Sequence, residues 1–256
     1  MLAEERKSKI IELVNKEKIV KVFDLSQKFN TTEVTIRRDL LELEKRKKLR
    51  RVHGGAISLN PRGMALNRND LAILCKEEKS RIARAAYGFI NDSDALMFDA
   101  STTVQELAKL ISEGDRKNLS IITNSFNVVN ILSTKSDIHV IHTGGQVSYN
   151  MNYSTGVLTE SMIRNLRVEK CFIGSNGVDD VYGYSVPTFE DASVKRSMIK
   201  AASETFVLAD HTKFGDTNMA KFAEFSGDID YLISDVEPTE IDIDLLKANV
   251  NFIVAE

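Results

Sequence analysis

Cysteine is scarce in this chain of 256 residues: Cys75 and Cys171 are its only two, far apart and without a CxxC partner. That scarcity excludes a disulfide framework and a cysteine-built zinc site, and it fits a reducing cytoplasm. Histidine is almost as thin, four residues with no metal-ligand spacing, which leaves little room for a zinc enzyme. No metal or cofactor is expected. No apolar run approaches the roughly 18 residues that a membrane span needs, and no membrane partner is expected. The opening residues, MLAEERKSKI, are charged and helical in pattern, with no apolar signal core. Internal repeats and low-complexity segments are absent. A hydrophobic fraction of 43% with 28% charged residues is ordinary for a folded chain and argues against extensive disorder.

What the sequence does have is a divided charge. The net of −3 conceals 15 basic and 9 acidic residues in positions 1–60, a net of +6, against 19 basic and 28 acidic in the remainder, a net of −9. A basic first quarter on an acidic body suggests two modules with different partners, and a basic module of this size points toward nucleic acid.

The first module reads as three helices and a hairpin. Residues 4–16 carry Ile10, Ile11 and Val14 on a helical stripe. A β-rich run, Ile19 to Val22, precedes a short helix opening near Asp24, with Leu25 and Phe29 four apart. Asn30-Thr31-Thr32 is a polar break, and Thr32 is an N-cap candidate for a third helix. Val34, Ile36, Leu40, Leu41 and Leu43 are expected on that helix's buried face, and the run Lys45 to Lys48 ends it. Leu49–Val52 and Ala56–Leu59 read as strands around His53-Gly54-Gly55. This is a winged helix-turn-helix plan, in which the third helix enters the major groove. Glu33, Thr35, Arg37 and Arg38 are its early exposed positions, and arginine suits the two acceptors on a guanine edge. Arg50, Arg51 and His53 would sit in the wing, against phosphates or in the minor groove. From charge alone a solvated amphipathic bundle explains the module equally well.

Residues 58–75 mix Pro61, Gly63 and asparagines with weak periodicity and read as a linker, leaving 76–256 as a second domain. There, apolar runs alternate with helical stretches. Strands are expected at 95–98, 119–123, 138–142, 168–173, 205–209, 231–234 and 251–254. Helices are expected at 77–90, 103–112, 127–133, 159–166, 192–202 and 240–248. That alternation predicts an α/β fold, a largely parallel sheet with helices on both faces. Ligands of such sheets bind beyond the strands' carboxyl ends, where this sequence is small, polar or glycine-rich. The candidates are Asp99, Ser101, Thr102 and Thr103; Asn124 and Ser125; Gly144 and Gly145; Asn176 and Gly177; and Asp210 with Lys213. Ser101-Thr102-Thr103 before a helix suits a phosphate, with charge supplied by Lys79, Lys195 or Lys213. Asp99, Glu190 and Asp210 suit sugar hydroxyls, or a general base if the domain were an enzyme. Each also has a plain structural role open to it: a cap, a turn or a surface lysine.

The segment TIRRDLLELEKRKKLRRVHGGA, residues 35–56, closely resembles the signature of the DeoR/GlpR family of bacterial transcriptional regulators. Further stretches resemble that family's effector domain: Asp99 through Thr103, Thr123-Asn124-Ser125, Gly144-Gly145, Asn176-Gly177, Glu190 through Lys195, and Asp210-x-x-Lys213-Phe214-Gly215. The resemblance implies that the helix from Thr32 is the recognition helix. It implies a C-terminal Rossmann-like domain similar to ribose-5-phosphate isomerase and glucosamine-6-phosphate deaminase. It also implies a repressor or activator whose hold on operator DNA is set by a phosphorylated sugar. A dimer or tetramer is expected, because one small module makes few contacts and paired half-sites multiply affinity. One departure stands out: the glycine expected after Asp99-Ala100 is Ser101, whose Cβ would crowd a phosphate or force a different turn. Two readings from other classes remain: a sugar-phosphate isomerase or deaminase fused to a DNA-binding module, and a protein–protein adaptor built on a winged helix.

Overall fold

The computed structural model describes residues 2–17, 19–46, 48–52, 54–58 and 74–256, in two compact units, Met1–Lys76 and Glu77–Glu256. His53 and residues 59–73, which hold most of the expected linker, lie outside the described residues.

The first unit runs α1 (Ala3–Glu17), β1 (Ile19–Lys21), α2 (Val22–Lys28), α3 (Glu33–Lys45), β2 (Arg50–Val52) and β3 (Gly55–Ile57). Ile10 and Val14 of α1, Leu25 of α2, and Ile36, Leu40 and Leu43 of α3 meet in one core with Val20, Val22, Leu49 and Ala56. The strands form an antiparallel sheet in the order β1-β3-β2. The close approach of β1 requires glycine at position 55, because a Cβ there would lie 2.1 Å from the Val20 carbonyl oxygen. The polar break before α3 acts as expected, with the Thr32 hydroxyl accepting from the Thr35 amide at 3.3 Å.

Two details differ from the sequence reading. The second helix opens at Val22, not near Asp24, because Val22 is drawn into the core. On α3, Ile36, Leu40 and Leu43 are buried, whereas Val34 is 76% and Leu41 38% exposed. The cause is helical phase: at 3.6 residues per turn Val34 lies about 200° from Ile36, on the far side. The inner stripe is completed instead by Asp39, buried and held by Arg6 of α1.

In the second unit the elements are α4 (Lys76–Tyr87), β4 (Ala95–Phe98), α5 (Thr102–Glu113), β5 (Ser120–Thr123), α6 (Phe126–Leu132), β6 (His139–His142), β7 (Gln146–Ser148), β8 (Tyr153–Thr155), α7 (Val157–Arg164), β9 (Val168–Gly174), β10 (Gly177–Asp179), β11 (Gly183–Val186), α8 (Phe189–Ala201), β12 (Ala202–Leu208), β13 (Ala220–Ala223), β14 (Tyr231–Ser234), α9 (Ile243–Asn249) and β15 (Asn251–Val254). Seven strands form a parallel sheet in the order β15-β14-β12-β9-β4-β5-β6. Alternate residues of each strand feed two separate cores, as a sheet covered on both faces demands. Leu96, Phe98, Ile121, Phe172, Phe206 and Ile233 pack with α4, α5 and α6. Met97, Ile122, Cys171, Ile173, Val207 and Leu232 pack with α7, α8 and α9. The first core contains an aromatic row across four adjacent strands: Phe98, Phe172, Phe206 and Tyr231, with centroids 5.6, 4.7 and 4.4 Å apart in turn.

The expected parallel α/β sheet is present. The sequence reading overlooks a hairpin, β7–β8, and an antiparallel sheet, β10-β11-β13. These strands have three or four residues, too few for a period-two pattern to declare itself. Several boundaries also move by capping chemistry. The helix expected from Ala192 starts at Phe189, where the Thr188 hydroxyl accepts from the Asp191 amide, and the one expected from Glu240 starts at Ile243 behind Asp242. The helix expected from Thr159 starts at Val157, and the strand expected from Thr205 starts at Ala202.

Candidate functional site

In the first unit, α3 presents one face to solvent. Arg38 has a side chain 82% exposed and lies 3.7 Å from Glu42. Arg37 is exposed and donates to Glu33 at 3.1 Å, an i,i+4 pair at the surface. Thr35 is half-buried, its hydroxyl 2.9 Å from that of Thr32. Val34 stands three and four residues before Arg37 and Arg38, hence on their face, which the sequence reading missed and helical phase would have found. The opposite face is clamped to α1. Asp39 takes both a Nε and a Nη2 donor of Arg6, while Lys7 pairs with Glu42 and Glu4, and Arg46 pairs with Glu4 at 3.0 Å. Hydrogen bonds from Arg46 and Lys7 hold the Glu4 carboxyl down at about 2. The strand after α3 is tied back to it, since the Arg51 amide donates to Glu44 at 2.7 Å. Arg50 is described only as backbone in β2, and His53 lies outside the described residues.

In the second unit the chain order reverses between β4 and β9. From β4 it proceeds to β5 and β6 on one side, then returns to β9, β12, β14 and β15 on the other. Such a switch point opens a crevice at the strands' carboxyl ends. Asp99 sits in it, 2% exposed, with both oxygens hydrogen-bonded. One accepts from the Ser101 amide at 2.9 Å; the other accepts from the Gly174 amide at 2.9 Å and from the Lys195 ammonium. Lys195, on α8, is 4% exposed. Burial alone would depress its pKa, but the charges of Asp99 and Asp191 and the bond to Asp99 raise it above the ordinary lysine value. A buried lysine at this point therefore carries its charge.

Ser101, where the resemblance leads us to expect glycine, fits without strain. Its φ of −65° is ordinary, and its hydroxyl accepts from the Val104 amide at 3.3 Å to cap α5. Room for the side chain comes from the opposite strand: a Cβ on Gly174 would lie 2.5 Å from the Ser101 Cβ. Thr102 is half-buried and Thr103 buried in the first turn of α5.

A second polar cluster lies beyond β12 and β14, whose ends are paired neighbours. Asp210 is buried; the amide and hydroxyl of Thr212 donate to it, and Lys213 lies 3.7 Å away. Burial would raise the Asp210 pKa, but Lys213, Lys79 and Thr212 outweigh it and bring the carboxyl to about 2. Lys79, on α4, is buried close enough for Asp210 to feel its charge. Beside it, Asp235 accepts from the His211 amide at 2.7 Å and lies 2.8 Å from the His211 Nδ1, with Arg81 at 3.8 Å. His211 and Asp235 are strand-end residues that alternation points to, but Arg81 was not among the expected site residues, because only folding places α4 beside the ends of β12 and β14.

The other candidates line the same edge. Ser125 is buried and caps α6, its hydroxyl accepting from the Val128 amide at 3.3 Å. Asn124 is buried and donates to the Ser154 carbonyl at 2.8 Å. Gly144 and Gly145 form a turn with φ of +64° and +119°, and the Gly144 carbonyl accepts from the Thr159 hydroxyl at 2.6 Å. Asn176 and Gly177 follow β9, half-buried and buried. Glu190 is exposed on the first turn of α8, away from the Asp99–Lys195 pair. The fold thus brings Asp99, Ser101, Gly174 and Lys195 together at the switch point and Lys79, Asp210 and Lys213 two strands away. Among the described residues no three His, Cys, Asp or Glu side chains gather as a metal site. No helix among them is long and apolar enough to cross a membrane.

Comparison with known proteins bears on both units. Residues 6–62 match the DeoR-like helix-turn-helix domain, and residues 74–236 match the DeoR C terminal sensor domain. Across its whole length the chain is 33% identical to the HTH-type transcriptional repressor GlcR of Bacillus subtilis (strain 168), covering 98% of that protein. It is 31% identical to the lactose phosphotransferase system repressor of Staphylococcus aureus (strain N315), over 92% of this chain and 93% of that one. Among solved structures, a ribose 5-phosphate isomerase from Methanocaldococcus jannaschii is similar over 55% of each chain, with 14% identity and a TM-score of 0.39.

Proposed function

This chain belongs to the DeoR family of helix-turn-helix transcriptional regulators, and from that premise we propose that it represses a sugar-utilisation operon until a phosphorylated sugar occupies its C-terminal domain. Residues 1–57 serve as the DNA reader, 58–75 as the linker and 76–256 as the sensor, acting in the cytoplasm. In the reader, α3 lies in the major groove. Arg37 and Arg38 reach base edges or phosphates, Thr32, Glu33 and Thr35 border them, and Val34 meets a thymine methyl. Arg50, Arg51 and His53 contact the backbone from the wing. One such module makes few contacts, so a dimer or tetramer pairing two half-sites supplies the affinity.

The observation that carries the sensor assignment is the placement of three lysines, Lys79, Lys195 and Lys213, from three separate segments, at the carboxyl edge of one parallel sheet. Two are buried and Lys213 partly so, in a domain that is acidic overall. Together with the amides and hydroxyls that open α5 at Ser101, Thr102 and Thr103, they suit a dianionic phosphate. Asn124, Ser125, Gly144, Gly145, Asn176 and Gly177 border the remainder of the effector. Both Asp99 oxygens accept from donors of this chain, which suits a residue that shapes the site rather than a general base. Binding without turnover is the role this supports. Operator affinity then falls because the effector prefers one arrangement of the sensor over the other.

The test is a mobility shift with duplexes selected from a random pool, repeated with inorganic phosphate and with pentose and hexose phosphates. Expected are sequence-preferring binding that weakens steeply with salt and release by a phosphorylated sugar. Binding indifferent to every phosphorylated sugar, or sugar-phosphate turnover by the purified protein, would overturn the reading.

A further inference from the structure

Buried polar atoms are almost always hydrogen-bonded, so a group of them left over needs a partner from elsewhere. Four such oxygens fall within one stretch of the sensor: Asn124 Oδ1, Thr143 Oγ1, Ser154 Oγ and Thr155 Oγ1. Their residues are between 1% and 8% exposed, and none of the four atoms has a hydrogen-bond partner among the described residues.

These residues are spread over 32 positions, yet the fold joins their segments directly. Asn124 follows β5 and exchanges two bonds with β8: its carbonyl accepts from the Ser154 amide, and its side-chain amide donates to the Ser154 carbonyl, both at 2.8 Å. Thr143 follows β6, and its amide donates to the Thr123 carbonyl at 3.0 Å, beside Asn124. Thr155 pairs with Gln146 at the far side of the Gly144-Gly145 turn. On β8, Thr155 shares a face with Tyr153, which is near enough to Lys195 to affect its charge. The cluster therefore adjoins the Asp99–Lys195 switch point, on the side away from Lys79 and Lys213.

The chemistry of the four atoms is uniform and uncharged. Three are hydroxyls that both donate and accept, and one is an amide oxygen that accepts. A carboxylate or phosphate would leave the Asn124 oxygen facing negative charge. A run of ligand hydroxyls on the Thr155 face of β8 suits Asn124, Thr143 and Thr155, whereas Ser154, next to Thr155 on the strand, faces the other way. We propose that the ends of β5 and β6 together with β8 form a hydroxyl-reading subsite, which takes the polyol portion of the effector and decides which sugar is sensed. This rests on the sugar-phosphate reading above. It adds Thr143 and Thr155 to the site and divides the labour: lysines hold the phosphate, and these oxygens, with that of Asn124, choose the carbon skeleton.

Thr→Val substitution tests this with little change of volume. The full chain is titrated calorimetrically and by thermal shift with inorganic phosphate, with pentose and hexose phosphates, and with the same sugars unphosphorylated. Thr143→Val and Thr155→Val are each compared with the unmodified protein. If the subsite is real, the free variants melt at or above the parent temperature, since an orphaned hydroxyl has gone. The preferred sugar phosphate binds each roughly tenfold more weakly, the worth of one hydrogen bond, and inorganic phosphate binds unchanged. Unaltered affinity and sugar preference in both variants would overturn the subsite and leave the sugar-phosphate reading standing. Tight binding of an unphosphorylated sugar that the variants abolish would support the subsite and sink the phosphate. If no compound in the panel binds, both fall. Should one variant fail to fold, the other decides.

Discussion

Replacing Asp99 by asparagine removes the charge beneath the switch point while keeping the shape. In the native protein a carboxylate 2% exposed faces an ammonium 4% exposed, and two backbone amides donate to the same carboxylate. Asparagine offers one acceptor oxygen where the carboxylate offers two. Turned toward Gly174 and Lys195, it loses the Ser101 amide; turned the other way, it points N–H groups at donors. Either way the buried Lys195 charge loses its paired carboxylate and keeps only the more distant Asp191, which costs about 3–5 kcal/mol. For a unit of this size about 2–4 °C of melting temperature accompanies each kcal/mol, so the sensor should melt about 6–20 °C lower. Lys195→Met should be milder, because Asp99 keeps both amide donors. The double variant should be less damaged than the sum of the singles, since it removes both charges together. Scanning calorimetry of the four proteins gives the comparison. A loss below about 2 °C for Asp99→Asn, or strict additivity in the double variant, would refute the account of this pair.

Other measurements probe the two domains separately. Arg38→Ala should weaken operator binding by about 1–3 kcal/mol if it reads a base, or lower the salt slope by about one if it meets a phosphate, without altering effector binding. Val34→Ala should cost about 1 kcal/mol, the scale of a lost methyl contact. Replacing operator thymines one at a time by uracil should then weaken the parent at one position and leave Val34→Ala indifferent there; parent binding unaffected by every uracil would remove Val34 from the reading face. Lys213→Ala should still bind DNA but no longer release it with the sugar phosphate, and a normal response would displace the phosphate from this lysine. The bond to Asp235, against the opposing effect of burial, raises the His211 pKa above 6.5. Its contribution to stability is therefore complete below the unfolded pKa and is lost as pH rises through the higher folded value. Urea melts from pH 6 to 9 should show that decline, and His211→Gln should lack it.

Much of the reader was legible in the sequence because its signals are local: a capping threonine, a helical apolar stripe and a basic turn. Val34 and Leu41 are apolar, but their phase around the helix, not their hydrophobicity, decides that they face solvent. The seven sheet strands were legible as short apolar runs because both faces of the sheet are covered, while the strands of three and four residues left no pattern. The site divided along the same line. Strand-end positions were foreseeable from alternation alone. The pairing of Asp99 with Lys195, 96 positions apart, was not, since it depends on α8 passing beneath the end of β4. Nor was Thr155, because β8 itself went unrecognised.

Ser101 and Gly174 share a space that holds one side chain. The two positions are consequently coupled. A side chain at 101 is tolerated because 174 is glycine, and Gly174→Ala becomes tolerable only together with Ser101→Gly. The side chain that is present is the one whose hydroxyl also caps α5. The order in which changes can accumulate here is written into the packing of two loops on neighbouring strands.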